Sequence, residues 1–322
     1  MKPRILVTRR WPEAVERILA DRFDTTFNQD DTPLTASQLS DAFRQFDAVL
    51  PTVSDKLPAS VFPEADVRTK LLANFGVGFS HIDIDAARAR GMTVTNTPGV
   101  LTDCTADIAL SLLLAVARRA GEGERQLRAG EWAGWCPTHM IGAKVSGKTI
   151  GIIGMGRIGK ATARRAHFGF DMKVVFYNRS KVDDETTRAM GARQLASVEE
   201  VLAEADFVSL HCPGGAENRH LINAARLRAM KPGAFLINTA RGDVVDQQAL
   251  VEALESGTIA GAGLDVYDGE PAVPAALLRL ENVVLLPHLG SATEETRVAM
   301  GMRAVDNLTA FFEGRSVPDK VA

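Results

Sequence analysis

Short apolar runs alternate with amphipathic stretches along most of this chain, and the rhythm restarts once. Residues 5–8 read as a strand, and 12–22 as a helix with proline in its first turn. Strand-like runs return at 46–53, 70–75 and 92–96, with a helix over 83–90 closed by Gly91. After Thr97-Pro98-Gly99 the pattern changes to a long helix, 102–119, and then a loop bearing Gly and Trp, 121–147. Strands resume at 148–153 and recur at 174–177, 207–210, 234–238, 261–266 and 283–286, before a last helix over 293–313. Strands alternating with helices imply a parallel sheet covered on both faces. The pattern therefore predicts an α/β protein with two doubly wound parallel-sheet domains.

Composition narrows this only a little. A chain of 322 residues is too long for one ordinary core and fits two domains. A net charge of -3 gives no reason to expect a nucleic-acid or anionic-membrane partner, and Arg118-Arg119 and Arg164-Arg165 read as solvated helix faces. Cys104, Cys136 and Cys212 are widely spaced, with no CxxC pair. They form neither a disulfide framework nor a zinc ribbon, so no metal is expected, and each reads as a buried structural thiol in a reducing compartment. The N-terminus has no apolar signal core, and the longest apolar stretch, 108–117, is half a membrane span. A cytoplasmic location is the expectation.

The chemistry begins at Gly154-Met155-Gly156-Arg157-Ile158-Gly159, which follows an apolar strand and opens a helical run over 160–167. The first glycine allows a tight turn. The second lets backbone approach a pyrophosphate held at the helix N-terminus, and the third lets helix and strand pack closely. In a strand–turn–helix context this spacing points to dinucleotide binding. The next strand ends at Asn178-Arg179-Ser180-Lys181, where an NAD-selective protein usually carries an acid about 20 residues past the glycines. None is present, and Asp183 and Asp184 come too late. Asn178 and Ser180 offer hydrogen bonds and Arg179 a cationic fork, so NADP(H) is preferred, with NAD(H) possible.

Three further segments lie at or beyond strand ends, where open α/β sheets place ligands. Ile237-Asn-Thr239-Ala240-Arg241-Gly242 offers a permanent cation suited to a carboxylate and an adjacent oxo group. Leu264-Asp265-Val-Tyr-Asp-Gly-Glu270-Pro271 presents a carboxylate on a turn, and Leu285-Leu-Pro287-His288-Leu-Gly290 exposes a histidine. Reduction of a carbonyl needs a proton for the new alkoxide, and histidine titrates near neutral pH. A carboxylate beside the ring favours the imidazolium, and the arginine offsets charge on substrate and oxyanion. Thr52 and Val53, after the strand ending at Leu50, are expected to line the substrate pocket.

With these residues in place, the chain resembles the D-isomer-specific 2-hydroxyacid dehydrogenases, and within them the glyoxylate/hydroxypyruvate reductases. The resemblance covers essentially the whole length. It rests on Asn74-Phe-Gly-Val77-Gly78 with His81-Ile-Asp83, Asn96-Thr-Pro98, Thr105-Ala-Asp107, the Gly154 loop, Arg241-Gly242, the 265–271 segment and Pro287-His288-Leu-Gly290. It implies that His288 is the proton donor, Glu270 its partner and Arg241 the substrate clamp, in the reduction of a small 2-oxo acid such as glyoxylate or hydroxypyruvate. Backbone amides near Val77 and Gly78 would hold the substrate carboxylate. Thr105 and Asp265 would lie near the nicotinamide and His211-Cys212-Pro213 by the adenosine, with Thr239, Ala240 and Gly290 completing the cofactor set.

The resemblance also implies a Rossmann-type cofactor domain, 99–288, inserted into a flavodoxin-like substrate domain, 1–98 and 289–322. The two crossings would form a hinge whose closure excludes water. Rival readings are a relative acting on another acid, of the phosphoglycerate or D-lactate type, and a non-catalytic NAD(H)-sensing protein resembling corepressors. Helix 102–119 looks apolar on more faces than one domain needs, which predicts a homodimer built on it and on the 121–143 loop.

Overall fold

The strands form where the apolar runs predict them, each shortened to its buried centre. The run 46–53, for example, keeps only Ala48–Leu50, because Pro51 has no N–H to extend the ladder. The computed structural model describes residues 1–322 and divides into two units, Met1–Leu101 with Ala292–Ala322, and Thr102–Ser291.

The first unit contains β1 (Arg4–Val7), α1 (Glu13–Arg22), β2 (Asp24–Phe27), α2 (Ala36–Gln45), β3 (Ala48–Leu50), β4 (Leu71–Ala73), α3 (Ile84–Ala89) and β5 (Thr93–Thr95). Its strands pair in the parallel order β2-β1-β3-β4-β5, the flavodoxin-like arrangement. One face buries Leu6, Val49, Leu72 and Val94 against Leu39 and Phe43 of α2 and Ala86 and Ala87 of α3. The N-terminus of α2 is fixed by Thr35 and Gln38 in a capping box.

The second unit runs through α4 (Thr102–Ala117), α5 (Ala120–Arg128), β6 (Thr149–Ile153), α6 (Arg157–Phe170), β7 (Lys173–Tyr177), α7 (Glu185–Ala189), β8 (Arg193–Gln194) and α8 (Val198–Glu204). It continues with β9 (Phe207–Leu210), α9 (Ala224–Ala229), β10 (Phe235–Asn238), α10 (Gln247–Glu255), β11 (Gly261–Leu264), α11 (Ala275–Arg279) and β12 (Val283–Leu285). The chain then re-enters the first unit as α12 (Glu294–Phe312). The seven strands are parallel in the order β12-β11-β10-β9-β6-β7-β8. This is a Rossmann order with one added strand, and the winding reverses between β6 and β9. Alternate side chains serve opposite faces, as the pleat requires. Ile150, Ile152, Val174, Phe176, Phe235 and Ile237 pack on one side, while Ile153, Val175, Val208, Leu210 and Leu236 pack on the other.

Five expectations need correction. Strands β2 and β8 were not read from the sequence, since both are short sheet edges with exposed positions rather than apolar runs. Helix α5 occupies part of the expected 121–147 loop. Its Gly121 and Gly123 hide it, and it buries no residue, relying on surface pairs such as Arg119–Glu122 and Arg128–Glu124. The apolar excess of α4 is taken up inside its own unit by α6, β10 and β11, and Asp103, Asp107 and Ser111 form its outward stripe. Arg165 is no solvated charge, because it bridges Asp103 and Asp107 of that helix. Among the cysteines, Cys136 is exposed rather than buried. No helix is long and apolar enough to cross a membrane.

Candidate active site

Every segment singled out in the second unit emerges at the C-terminal edge of the seven-stranded sheet. The 154–159 turn follows β6, Asn178 follows β7, His211 follows β9, Thr239 follows β10, Asp265 follows β11 and His288 lies three residues past β12. Gly154 adopts φ +96°, and a Cβ there would lie 2.7 Å from the Cys212 nitrogen. Gly156 caps α6 with no side chain accepting from the first turn, and a Cβ on it would project into open space. Free helical N–H groups beside that space fit a pyrophosphate. Arg157 and Ile158 form the first turn of α6 beside it.

At the end of β7 the side chains are engaged differently from the sequence expectation. The Asn178 amide is occupied internally. Its Oδ1 accepts from the Met155 N–H (3.2 Å) and its Nδ2 donates to the Ser180 carbonyl (3.1 Å) and Oγ (3.0 Å). Asn178 therefore shapes the turn that presents Arg179. Gln194 braces the same turn, donating to the carbonyls of Asn178 and Ser180. Arg179 is exposed and paired with Glu217. His211 Nε2 meets Ser209 Oγ at 2.9 Å, while its enclosed Nδ1 has no partner. Burial pulls this imidazole down to about 3 and pushes the Cys212 thiol up to about 11, so Cys212 is no nucleophile at neutral pH. Pro213 is exposed beside them.

At the other end, β11 and β12 bring the acid chemistry together. His288 Nδ1 lies 2.7 Å from Glu270 Oε2, and Glu270 Oε1 accepts from the Tyr267 N–H (2.9 Å). Burial pushes the Glu270 carboxyl up, but His288, the Tyr267 N–H and the charge of Arg241 together hold it below its ordinary value. It is an anion at neutral pH, and Nε2 of His288 is left uncommitted. His288 itself holds φ +57°, a left-handed conformation that costs a non-glycine residue about 1–3 kcal/mol. Asp265 maintains it. Its carbonyl accepts from the His288 N–H (3.0 Å), and its carboxylate from Leu289 N–H (2.6 Å) and Gly290 N–H (2.7 Å). Burial pushes the Asp265 carboxyl up, and those two N–H groups and His288 oppose it. Thr105 Oγ1 ties α4 to the same loop by donating to the Gly290 carbonyl (3.0 Å). Tyr267 joins the two strand ends, its hydroxyl donating to Leu286 O (2.9 Å), and burial pushes the phenol up to about 12.

Arg241 reaches this edge because Gly242 allows a close approach. A Cβ on Gly242 would lie 1.8 Å from the Tyr267 carbonyl carbon. The Arg241 guanidinium hydrogen-bonds only the Ala240 carbonyl (2.6 Å) and pairs with no carboxylate. Burial pulls its pKa down, with Glu270 and Asp243 opposing. A half-buried cation with most of its fork unused suits an incoming anion. Ala240 N–H donates to Asn238 Oδ1 (3.0 Å), and Thr239 Oγ1 is enclosed without a partner.

In the first unit, the 76–78 loop is turned by two amides. Asn74 Nδ2 donates to the carbonyls of Gly76 and Gly78 (both 3.1 Å), and Asn96 Nδ2 to that of Val77 (2.8 Å). Asn74 Oδ1 in turn meets His81 Nε2 at 3.0 Å. Three carbonyls of this loop are thereby held by side-chain amides. Thr52 is fixed by Asp55, which accepts from its N–H (2.8 Å), and Val53 is exposed.

Sequence reasoning missed Glu217, Gln194 and Asp243, whose carboxylate accepts from the Gly215 N–H (2.8 Å). No local signal marks them; each acts through a residue distant in sequence. A cavity of about 490 Å³ in the second unit is lined by Phe235, Ala260 and Asn282 at the N-terminal ends of strands, the edge opposite to this chemistry.

Residues 110–290 match the family model described as D-isomer specific 2-hydroxyacid dehydrogenase, NAD binding domain. A glyoxylate reductase of Thermococcus litoralis is 44% identical over 325 residues, covering 100% of this chain and 97% of that protein. One from Korarchaeum cryptofilum is 45% identical over 323 residues, covering 100% and 96%. Among solved structures, an NADPH-dependent glyoxylate/hydroxypyruvate reductase from Sinorhizobium meliloti, in complex with NADP and malonate, superposes with a TM-score of 0.88 at 37% identity, covering 100% of this chain and 97% of that one.

Proposed function

The chain belongs to the D-isomer-specific 2-hydroxyacid dehydrogenase family, and from that premise we propose that it reduces glyoxylate and hydroxypyruvate to their 2-hydroxy acids with NADPH. The observation that carries the reading is the His288–Glu270 pair beside an uncommitted Arg241, at the edge that also holds the glycine cradle. The reduced nicotinamide, when bound, supplies the hydride. Arg241 attracts the 2-oxo acid through its carboxylate and polarises the carbonyl oxygen. For the first unit we propose the Val77 and Gly78 N–H groups as carboxylate donors. Glu270, held ionised, accepts from Nδ1–H of His288 and so directs the Nε2 proton to the nascent alkoxide. Asp265 and Thr105 keep the histidine loop in place while the proton moves.

Relatives carrying the name glyoxylate reductase support the choice of substrate, and the NADP-bound Sinorhizobium structure supports the choice of cofactor. So does the absence of an acid at the end of β7, where Arg179 stands instead. Steady-state kinetics on a panel of 2-oxo acids with both reduced cofactors tests the proposal. Glyoxylate or hydroxypyruvate should lead, with kcat/KM for NADPH at least roughly tenfold above NADH, about 1.4 kcal/mol. A lead for pyruvate or a bulky aromatic 2-oxo acid would overturn the substrate, and equal efficiency of the two cofactors would overturn the NADPH preference.

We place the protein in the cytoplasm as a homodimer. The support is the 129–143 segment, where Trp132, Trp135 and Ile141 are 50, 81 and 67% exposed. A monomer mass by light scattering at micromolar concentration would remove the dimer.

A further inference from the structure

Arg179 and Glu217 stand on opposite sides of the cofactor cradle. Strand β6, which ends in the glycine turn, lies between β7 and β9 in the sheet. Arg179 follows β7, whereas Glu217 sits in a short 3-10 turn, Ala216–Asn218, that follows β9. Their ion pair, Arg179 Nη1 to Glu217 Oε2 at 2.5 Å, therefore arches over the C-terminal end of β6. Neither side chain is forced into the contact by burial, since they are 69 and 77% exposed.

Both backbones are held by further hydrogen bonds. Asn178 and Gln194 hold the turn that carries Arg179. On the other side, Asp243 Oδ2 accepts from the Gly215 N–H (2.8 Å), and Asn218 Nδ2 donates to the Pro213 carbonyl (2.9 Å). The 216–218 turn is thereby pinned on either side of Glu217.

We propose that Glu217 is a specificity-determining residue that limits the margin for NADPH over NADH. Its carboxylate competes with a ribose 2′-phosphate for Arg179 and repels that phosphate across the mouth of the cradle. The inference rests on the reading of Arg179 as the 2′-phosphate partner. When a 2′-phosphate enters, Arg179 exchanges one anion for another and the displaced carboxylate returns to water. A ligand without the phosphate gains nothing from that exchange. The bridge is solvent-exposed, so its removal changes affinity modestly, by about two- to fivefold.

The test uses the full-length protein and two probes, 2′,5′-ADP and 5′-AMP, titrated at low salt against the unmutated chain, Glu217→Gln and Arg179→Ala. Glu217→Gln should tighten 2′,5′-ADP about two- to fivefold and 5′-AMP by less, and the kcat/KM ratio for NADPH over NADH should widen by the same factor. Raising the salt should shrink the gain, because screening weakens both the pair and the repulsion. Arg179→Ala should weaken 2′,5′-ADP selectively. If Arg179→Ala leaves 2′,5′-ADP binding intact, the reading of Arg179 fails and the competition has no object. If Arg179→Ala weakens it but Glu217→Gln changes nothing, or moves both probes equally, Arg179 keeps its role and Glu217 loses the one assigned here. A melting temperature matching the unmutated chain verifies that each variant is folded.

Discussion

Protonation of His211 should loosen the cofactor unit at mildly acidic pH. The His211 backbone packs against the glycine turn, where the Gly154 Cβ position falls 2.8 Å from the His211 carbonyl carbon, and its ring meets Ser209. Part of the residue reaches the surface, but Nδ1 is shut off and has no acceptor, so a charged ring would bury an unsatisfied N–H. Burial lowers the native pKa from 6.5 to about 3. Between those values the unfolded chain binds the extra proton and the native chain does not, so stability falls as pH falls. At pH 4.5 the two-unit gap below 6.5 gives at most about 2.7 kcal/mol, at 1.36 kcal/mol per unit. Solvent reaching the edge of the ring lowers this, and about 1–2.5 kcal/mol is expected. Scanning calorimetry at pH 7 and 4.5 on the unmutated chain and His211→Gln isolates the effect, since the amide keeps a partner for Ser209 and does not titrate. For a unit of this size about 1 kcal/mol moves Tm by roughly 2–4 °C. The unmutated chain should therefore lose about 2–10 °C more than the variant between the two pH values. Parallel losses in the two proteins would refute the reasoning.

The remaining predictions concern the acid end of the site. His288→Ala should lower kcat by about two to four orders of magnitude while leaving the NADPH dissociation constant within about threefold, read by fluorescence titration. Retained turnover would remove the proposed donor. Glu270→Gln keeps a hydrogen-bonding partner for His288 but removes an anion whose carboxyl is held below its ordinary value. Without that charge the imidazolium is less favoured, so the basic limb of the kcat/KM profile for reduction should move to lower pH, and an unmoved limb would contradict the pairing. Gly242→Ala places a methyl 1.8 Å from the Tyr267 carbonyl carbon. Backbone on both sides must shift, so Tm should fall along with activity, by roughly 2–4 kcal/mol of stability; an unchanged melt would show that this approach is not needed.

Residues whose role depends on their own chemistry and their position at a strand end were legible in the sequence. The glycine turn, Arg241, Glu270 and His288 belong to this class, because strand ends can be read from short continuous apolar runs and the candidate groups follow within a few residues. Elements without an apolar signature were not legible: β2 at a polar sheet edge, β8 with two residues, and α5 behind its glycines. Neither were roles set by a partner. Asn178 looks from its sequence like a ligand donor, yet its amide is turned inward on Met155 and Ser180, a fact decided by the path of the 178–180 turn. Glu217 lies 38 residues beyond Arg179, and nothing local marks it as a partner. The two meet because the chain passes from β7 through β8 and back across β6 to β9, so that loops distant in sequence flank one cradle. A sequence reading that stops at motifs finds the cation and concludes that it is available. Once the sheet order is added, every loop at the C-terminal edge acquires two spatial neighbours, and the charge of those neighbours becomes part of the specificity argument. If Glu217 acts as proposed, the cofactor preference expected from Arg179 alone is an upper bound that Glu217 lowers.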